Sequence, residues 1–189
     1  MAASARQVRD QWIALGCRTG DPKAFEALVA DFQRPLLYYA ARLLRDDSAA
    51  LDVLQEVWLA ALRSVRSLND PNALRPWLYR LTHGRAVDRI RHERFIQRAE
   101  QARALESPEA ADDQADLTDA DATAIHRALD ELSLEHREVL VLHVLDELPI
   151  AAIASVVCIP EGTVKSRLHH ARRSLKSILT RTPEGKVYP

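Results

Sequence analysis

The sequence predicts an all-α protein made of two small helical domains joined by an acidic linker. Ala, Leu, Arg and Glu dominate its 189 residues and all favour helix, whereas five glycines are few for a β-rich chain. Apolar residues recur at helical spacing along most of the chain, with no alternating strand pattern and no internal repeat. Between residues 98 and 121 the composition turns to Ala, Asp and Glu, with Ser107-Pro108 and no aromatic, which reads as a linker. A hydrophobic content of 47% is enough for packed cores and too high for a disordered chain.

Residues 1–21 are expected to form a lead-in helix that ends at the Gly20-Asp21-Pro22 turn. Phe25, Leu28, Val29 and Phe32 then follow helical spacing, and Pro35 is expected to bend or split that helix. Asp46, Asp47 and Ser48 offer a break and an N-cap. Leu51, Leu54, Trp58, Ala61, Leu62 and Val65 make a second apolar stripe, closed by Asn69-Asp70-Pro71. Pro76 sits where a first helical turn tolerates it, and Trp77, Leu78, Leu81, Val87 and Ile90 carry the next helix. After the linker, Ile125, Leu129 and Leu132 pattern one helix. Ser133 can cap another with Val139, Leu140, Leu142 and Val144 as buried positions. Leu148-Pro149 opens a short helix, Ile150 to Val157, and Pro160 a long one ending near Thr180. The expected divisions are 1–21, 22–97, 98–121, 122–181 and a tail, 182–189.

The formal net charge is −1, but it is unevenly spread. Residues 75–98 hold seven arginines against Asp88 and Glu93, a net of +5; residues 100–124 carry −7; residues 161–181 carry +5. Two basic blocks around an acidic one suit a polyanion bound at two places, and equally two solvated helix faces. No positive region followed by an apolar run opens the chain, so no signal peptide is expected, and no stretch is apolar enough to span a bilayer. Cys17 and Cys158 are too far apart in sequence for metal-ligand spacing and read as free thiols of a cytoplasmic protein. No carboxylate pair, nucleophile elbow or Gly-rich phosphate loop is visible, and the seven histidines form no ligand set. The expectation is a protein without catalysis, cofactor or metal.

A short helix, a tight turn and a longer basic helix are the parts of a helix-turn-helix. Ile153, Ala154 and Val157 would pack the first helix, and Val164, Leu168, Ala171 and Leu175 the inner stripe of the second. The opposite face shows Glu161, Gly162, Thr163, Lys165, Ser166, Arg167, His169, His170 and Arg173. A major-groove helix needs such a face, with cations for phosphates and short polar groups for base edges. An ordinary amphipathic helix with basic residues near its C-terminus would show the same pattern. The run from Pro160 to Leu168 reads Pro-Glu-Gly-Thr-Val-Lys-Ser-Arg-Leu and resembles the signature of region 4 in bacterial sigma factors of the extracytoplasmic-function group. His169 to Leu175 and Leu134 to Leu140 continue the match. The resemblance implies that these exposed residues read the promoter −35 element. Ala152, Cys158 and His170 stand where the family often has Glu, Gly or a polar residue, and Arg.

Upstream, Asp52-Val53-Leu54-Gln55-Glu56-Val57-Trp58 resembles the same family's region 2. Asp52, Gln55 and Glu56 share one helix stripe by spacing. The resemblance implies that this stripe docks on the clamp helices of the largest subunit of core RNA polymerase; by itself it would read as a solvated face. Trp77-Leu78-Tyr79-Arg80-Leu81 resembles the segment that opens promoter melting, with Asp88, Arg89, Arg91 and Arg94 as its continuation. The resemblance implies −10 contacts from Tyr79, Arg80, His83, Gly84, Arg85, Arg89, Arg91 and Arg94, in part from a loop that captures an unstacked base. Gly84 occupies a position where many members have Asn; it could admit backbone to DNA or break the helix. Trp77 reads as core.

The expected function is a sigma factor that binds core RNA polymerase and promoter DNA, and family members are often held by an anti-sigma factor. The alternatives are a helix-turn-helix regulator acting without polymerase docking and a helical adaptor that binds no DNA.

Overall fold

The computed structural model describes residues 4–103, 120–144 and 146–181. These residues form eight α-helices and two 3-10 turns, with no strand among them. The expected all-α class therefore holds. Residues 104–119 of the linker and the tail lie outside the described residues.

The first unit holds α1 (Ala5–Thr19), α2 (Pro22–Leu44), α3 (Asp47–Ser64) and α4 (Leu74–Arg103). Local chemistry sets the boundaries. Ser4 caps α1 by accepting from the Gln7 N–H at 3.2 Å, and Gly20, at φ 80°, ends it. Asp21 caps α2 through the Lys23 N–H, with Pro22 at the first helical position. Asp46 caps α3 through the Ala49 N–H at 2.9 Å. Gly16 lets α1 and α2 close together, since an added Cβ there would lie 2.5 Å from the Ala24 Cβ.

Three expectations about these helices change. Pro35 neither splits α2 nor ends it, because Phe32 and Leu36, buried on either side, hold the helix against the core. Gly84 does not open a loop: α4 runs unbroken through it for 30 residues, anchored by buried Leu78, Tyr79, Thr82 and Ala86. The inward stripe of α3 is carried by Val53, Leu54, Val57 and Ala61, while Leu51 and Leu62 face solvent. The core of this unit gathers Ile13, Leu28, Phe32, Leu36, Tyr39, Val57, Leu74, Leu78 and Tyr79, with Tyr39 and Tyr79 edge to face at 5.4 Å. Arg75 lies 4.5 Å over the Phe32 ring and donates from Nε and Nη2 to the two oxygens of Asp10, at 2.9 and 3.0 Å.

The second unit holds α5 (Ala120–Asp130), α6 (Leu134–Val144), α7 (Ile150–Val157) and α8 (Glu161–Arg181). The Ser133 carbonyl accepts from the Arg137 N–H at 2.9 Å where α6 begins. Val139, Leu142, Ile153, Val156, Val164, Leu168 and Ala171 form its interior. Val144, expected inside, is exposed.

The two units pack against each other, α7 on α4 and α6 on α2, so one continuous core spans both.

Two changes test these anchors. Asp10→Ala strands the Arg75 guanidinium at a site about nine-tenths buried and should cost about 3–5 kcal/mol of unfolding free energy. Arg75→Met added to it should recover much of that loss in urea melts; no recovery would mean the pair was not the source. Cys158 holds φ 56° as the C-cap of α7, a conformation in which its Cβ costs about 1–2 kcal/mol. Cys158→Gly should therefore raise the melting temperature by roughly 2–8 °C.

Candidate nucleic-acid interface

In the second unit, α7, a three-residue turn and α8 make the helix-turn-helix. The turn closes on local hydrogen bonds: the Ile159 N–H donates to the Ala154 carbonyl at 3.2 Å, and the Thr163 and Val164 N–H groups donate to the Pro160 carbonyl. Cys158, in the left-handed region, replaces the glycine that this geometry favours. Val164, Leu168 and Ala171 are buried beneath α8, so the other side of the helix is fixed outward. Glu161, Gly162, Thr163, Lys165, Ser166, His169, His170 and Arg173 are all exposed there. Arg167 differs. It is partly buried and donates from Nη1 to Glu138 Oε1 of α6 at 2.8 Å. His170 stacks on His136 of α6 at 6.1 Å and meets His169 edge-on.

Sequence reasoning left two cations out of this face. Arg172 and Lys176 line one groove with Lys165, His169 and His143. Lys165, His169, Arg172 and Lys176 recur at 4, 3 and 4 residues, a spacing already present in the sequence. They form a basic flank beside the outward face, placed as phosphate contacts are when a helix enters a groove.

On α4 the eight candidate residues divide three ways. Arg80, Gly84, Arg91 and Arg94 face solvent. Arg85 lies toward α3, its Nε 3.4 Å from Glu56, and Arg89 Nε donates to Glu93 one turn further along α4 at 2.6 Å. The bond to Glu93 raises the Arg89 pKa. Arg91 makes a looser pair with Asp88, at 3.7 Å. Tyr79 and His83 are covered. Tyr79 is fully buried, and His83 Nε2 lies 3.2 Å from Glu138 Oε2 of the second unit. Tyr79 thus packs in the core and offers no surface to DNA in this arrangement. The 79, 82, 86 stripe is the inner side of α4, and a second unit lies over it. Trp77 is half-buried.

Asp52, Gln55 and Glu56 are exposed together on α3. Leu51, Leu59 and Leu62 are exposed beside them, so this surface is acidic and apolar at once. Charge reading had found only the acidic part.

The contact between the units is polar at its edges. Arg42 Nη1 donates to Asp130 at 2.9 Å, and the Arg45 guanidinium reaches the Asp130 and Leu132 carbonyls. Arg6 lies 3.7 Å from Asp146 and 3.6 Å from Glu147. Burial pushes the Asp146 carboxyl above the usual range, opposed by the charges of Arg75 and Arg6. Burial likewise raises Tyr79, with the neighbouring Asp146 charge adding to it. Burial and the nearby Arg45 lower Arg137.

Among the described residues, no three His, Cys, Asp or Glu side chains gather as a metal set, and no helix is long and apolar enough to cross a membrane.

Residues 28–96 match the family model of sigma-70 region 2, and residues 122–175 that of sigma-70 region 4. The chain is 32% identical over 165 residues to the ECF RNA polymerase sigma factor SigL of Mycobacterium tuberculosis, covering 87% of this chain and 93% of SigL. It is 28% identical to the RNA polymerase sigma-H factor of Pseudomonas aeruginosa, covering 92% and 95% of the two chains. It is 27% identical to the ECF RNA polymerase sigma-E factor of Escherichia coli, covering 90% and 94%. The fold is similar to that of the sigma factor RpoE of Bartonella quintana, solved with the anti-sigma factor NepR, with TM-score 0.70, 22% identity and coverage of 85% and 99%. It is also similar to CnrH, solved with the cytosolic domain of CnrY, with TM-score 0.66, 24% identity and coverage of 92% and 99%. The chain therefore belongs to the extracytoplasmic-function group of the sigma-70 family, the factors that direct RNA polymerase to promoters.

Proposed function

We propose that this sigma factor divides its work between units 22–97 and 122–181. The acidic stripe Asp52, Gln55 and Glu56, with the leucines beside it, docks on the largest-subunit clamp helices of core RNA polymerase. The solvent side of α4, Arg80, Gly84, Arg91 and Arg94, meets the −10 element, and Arg85 and Arg89 supply phosphate contacts beside it. The outward face of α8 reads the −35 element, with Arg172 and Lys176 holding the flanking backbone. The protein performs no bond chemistry of its own; it works in the cytoplasm, and an anti-sigma factor is a further expected partner. The observation that carries this reading is the pairing, in one chain, of an exposed acidic and apolar stripe with two separate basic helices. A regulator acting without polymerase has no use for the first of these.

Transcription from a promoter fragment with purified core polymerase is the direct test, and initiation should depend on this protein. DNA binding without polymerase in a two-fold-symmetric footprint would favour the regulator instead. Asp52→Lys with Glu56→Lys should lower core affinity by roughly tenfold or more, measured by anisotropy on protein with unchanged circular dichroism. Because Glu56 also neighbours Arg85, Asp52→Lys alone is the cleaner probe. Unchanged affinity in both would remove the docking role. Lys165→Ala and Arg173→Ala should each flatten the slope of log binding constant against log salt by about 0.9 for a −35 duplex. An unaltered slope would place these residues off the phosphates.

A further inference from the structure

A helix lying in a major groove about 12 Å wide has a phosphate strand on each side of it. One flank of α8 is supplied with fixed charge, since Lys165, Arg172 and Lys176 line a groove there with His143 and His169. The opposite flank is built differently. Between α8 and the start of α6 runs a second groove, of about 520 Å³, lined in part by Glu131, His136, His170, Arg173 and Ser174. His136 and His170 come from different helices and stack in it, with ring centroids 6.1 Å apart and planes 25° apart. His169 meets His170 edge-on at 5.6 Å. Arg173 stands on the ridge and lines both grooves. Among the described residues that line the second groove, it is the one permanent cation. Any further positive charge on this flank has to come from imidazoles.

We propose that the His136–His170 pair is a seat for a backbone phosphate of the second DNA strand, and that it is filled with uptake of protons, so that the −35 element is held more tightly as pH falls. The proposal rests on the −35 reading of α8 above and adds α6 to that site. Histidine is the side chain whose charge ordinarily changes between about pH 5 and 8. The charges facing the pair are mixed. Glu131 lines the groove from the turn between α5 and α6. Glu135 adjoins His136, and its own backbone N–H first, then Ser133, Arg167 and His136, hold its carboxyl below the usual range. Arg137 and Glu138 of α6 are turned inward, engaged with Asp130, His83 and Arg167. With both imidazoles neutral, Glu131 and Glu135 therefore outnumber Arg173, and a phosphate is repelled. With both charged, three cations face two carboxylates and the sign of the groove reverses. A phosphate also relieves the repulsion between two stacked imidazolium rings, which makes proton uptake and DNA binding favour each other. Affinity is greatest on the acid side and declines as pH rises through the titration of the bound pair.

The test is the affinity of holoenzyme, formed with core polymerase, for a promoter fragment at constant salt between about pH 6 and about pH 8. His136→Gln with His170→Gln should bind roughly tenfold more weakly than wild type near pH 6 and within about twofold of it near pH 8. Taking the ratio to wild type at each pH cancels the polymerase's own titration. His170→Arg supplies fixed charge at the same place and should bind several-fold better than wild type near pH 8, with less decline across the range. Uncharged methylphosphonate linkages placed one at a time beside the −35 element should include a position at which the difference between wild type and the double variant near pH 6 disappears. A ratio that stays constant across the range would overturn the proposal, because a role in shape or in neutral hydrogen bonding is lost equally at every pH. A difference that survives every methylphosphonate would overturn it too. If wild-type holoenzyme does not distinguish the promoter from one with a scrambled −35 element at any pH, the −35 reading of α8 has failed instead, which is a separate result.

Discussion

Burial of one side of α4 is the constraint on which the rest of the molecule depends. Leu74, Leu78, Tyr79, Thr82 and Ala86 fall on a single stripe and are fully covered, so the remaining faces have no freedom of orientation. Helices α1, α2 and α3 pack around it from the first unit, and α7 from the second. The arginines that face solvent do so because the stripe opposite is fixed. The Arg75–Asp10 pair at the start of the helix adds directional hydrogen bonds to a contact that apolar packing alone would leave loose in rotation.

The same helix shows how charge is distributed between structure and recognition. Arg75 is spent in the core, and Arg85 and Arg89 are partly neutralised by Glu56 and Glu93. Arg80 and Arg94 lie open. A basic block counted in the sequence therefore overstates the positive surface available to a phosphate chain. On α8 the reverse holds: Lys165, Arg172, Arg173 and Lys176 all lie on exposed positions, and Arg167 is drawn inward. The second unit presents the cleaner cationic face.

What could be read beforehand was what local chemistry decides. Asp21 and Asp46 mark helix starts because a carboxylate can satisfy free N–H groups there. Leu148-Pro149 and Pro160 frame α7 closely because proline cannot continue a helix from the wrong side. The outward phase of Asp52, Gln55 and Glu56 also followed from spacing. The misreadings share another origin, in contacts between residues distant in sequence. Gly84 lowers helix propensity by about 1 kcal/mol, and packing on either side of it prevails. Leu51 and Leu62 satisfy an inward stripe as well as Val53 and Val57 do, and only the placement of α2 and α4 decides between them. Tyr79 packs on Tyr39 within its own unit, and His83 is covered by a unit that begins some forty residues later, which no periodicity within α4 announces.

The carboxylate shared between His83 and Arg167 carries a consequence for how promoter elements are sensed. A base or phosphate that draws Arg167 away from Glu138 removes one partner from the group that also faces His83. Coupling of this kind is reciprocal: a change in affinity at one end of the carboxylate implies the same factor at the other. Any ligand that took Arg167 from Glu138 would therefore change how firmly the same carboxylate holds His83, and so how the two units are joined.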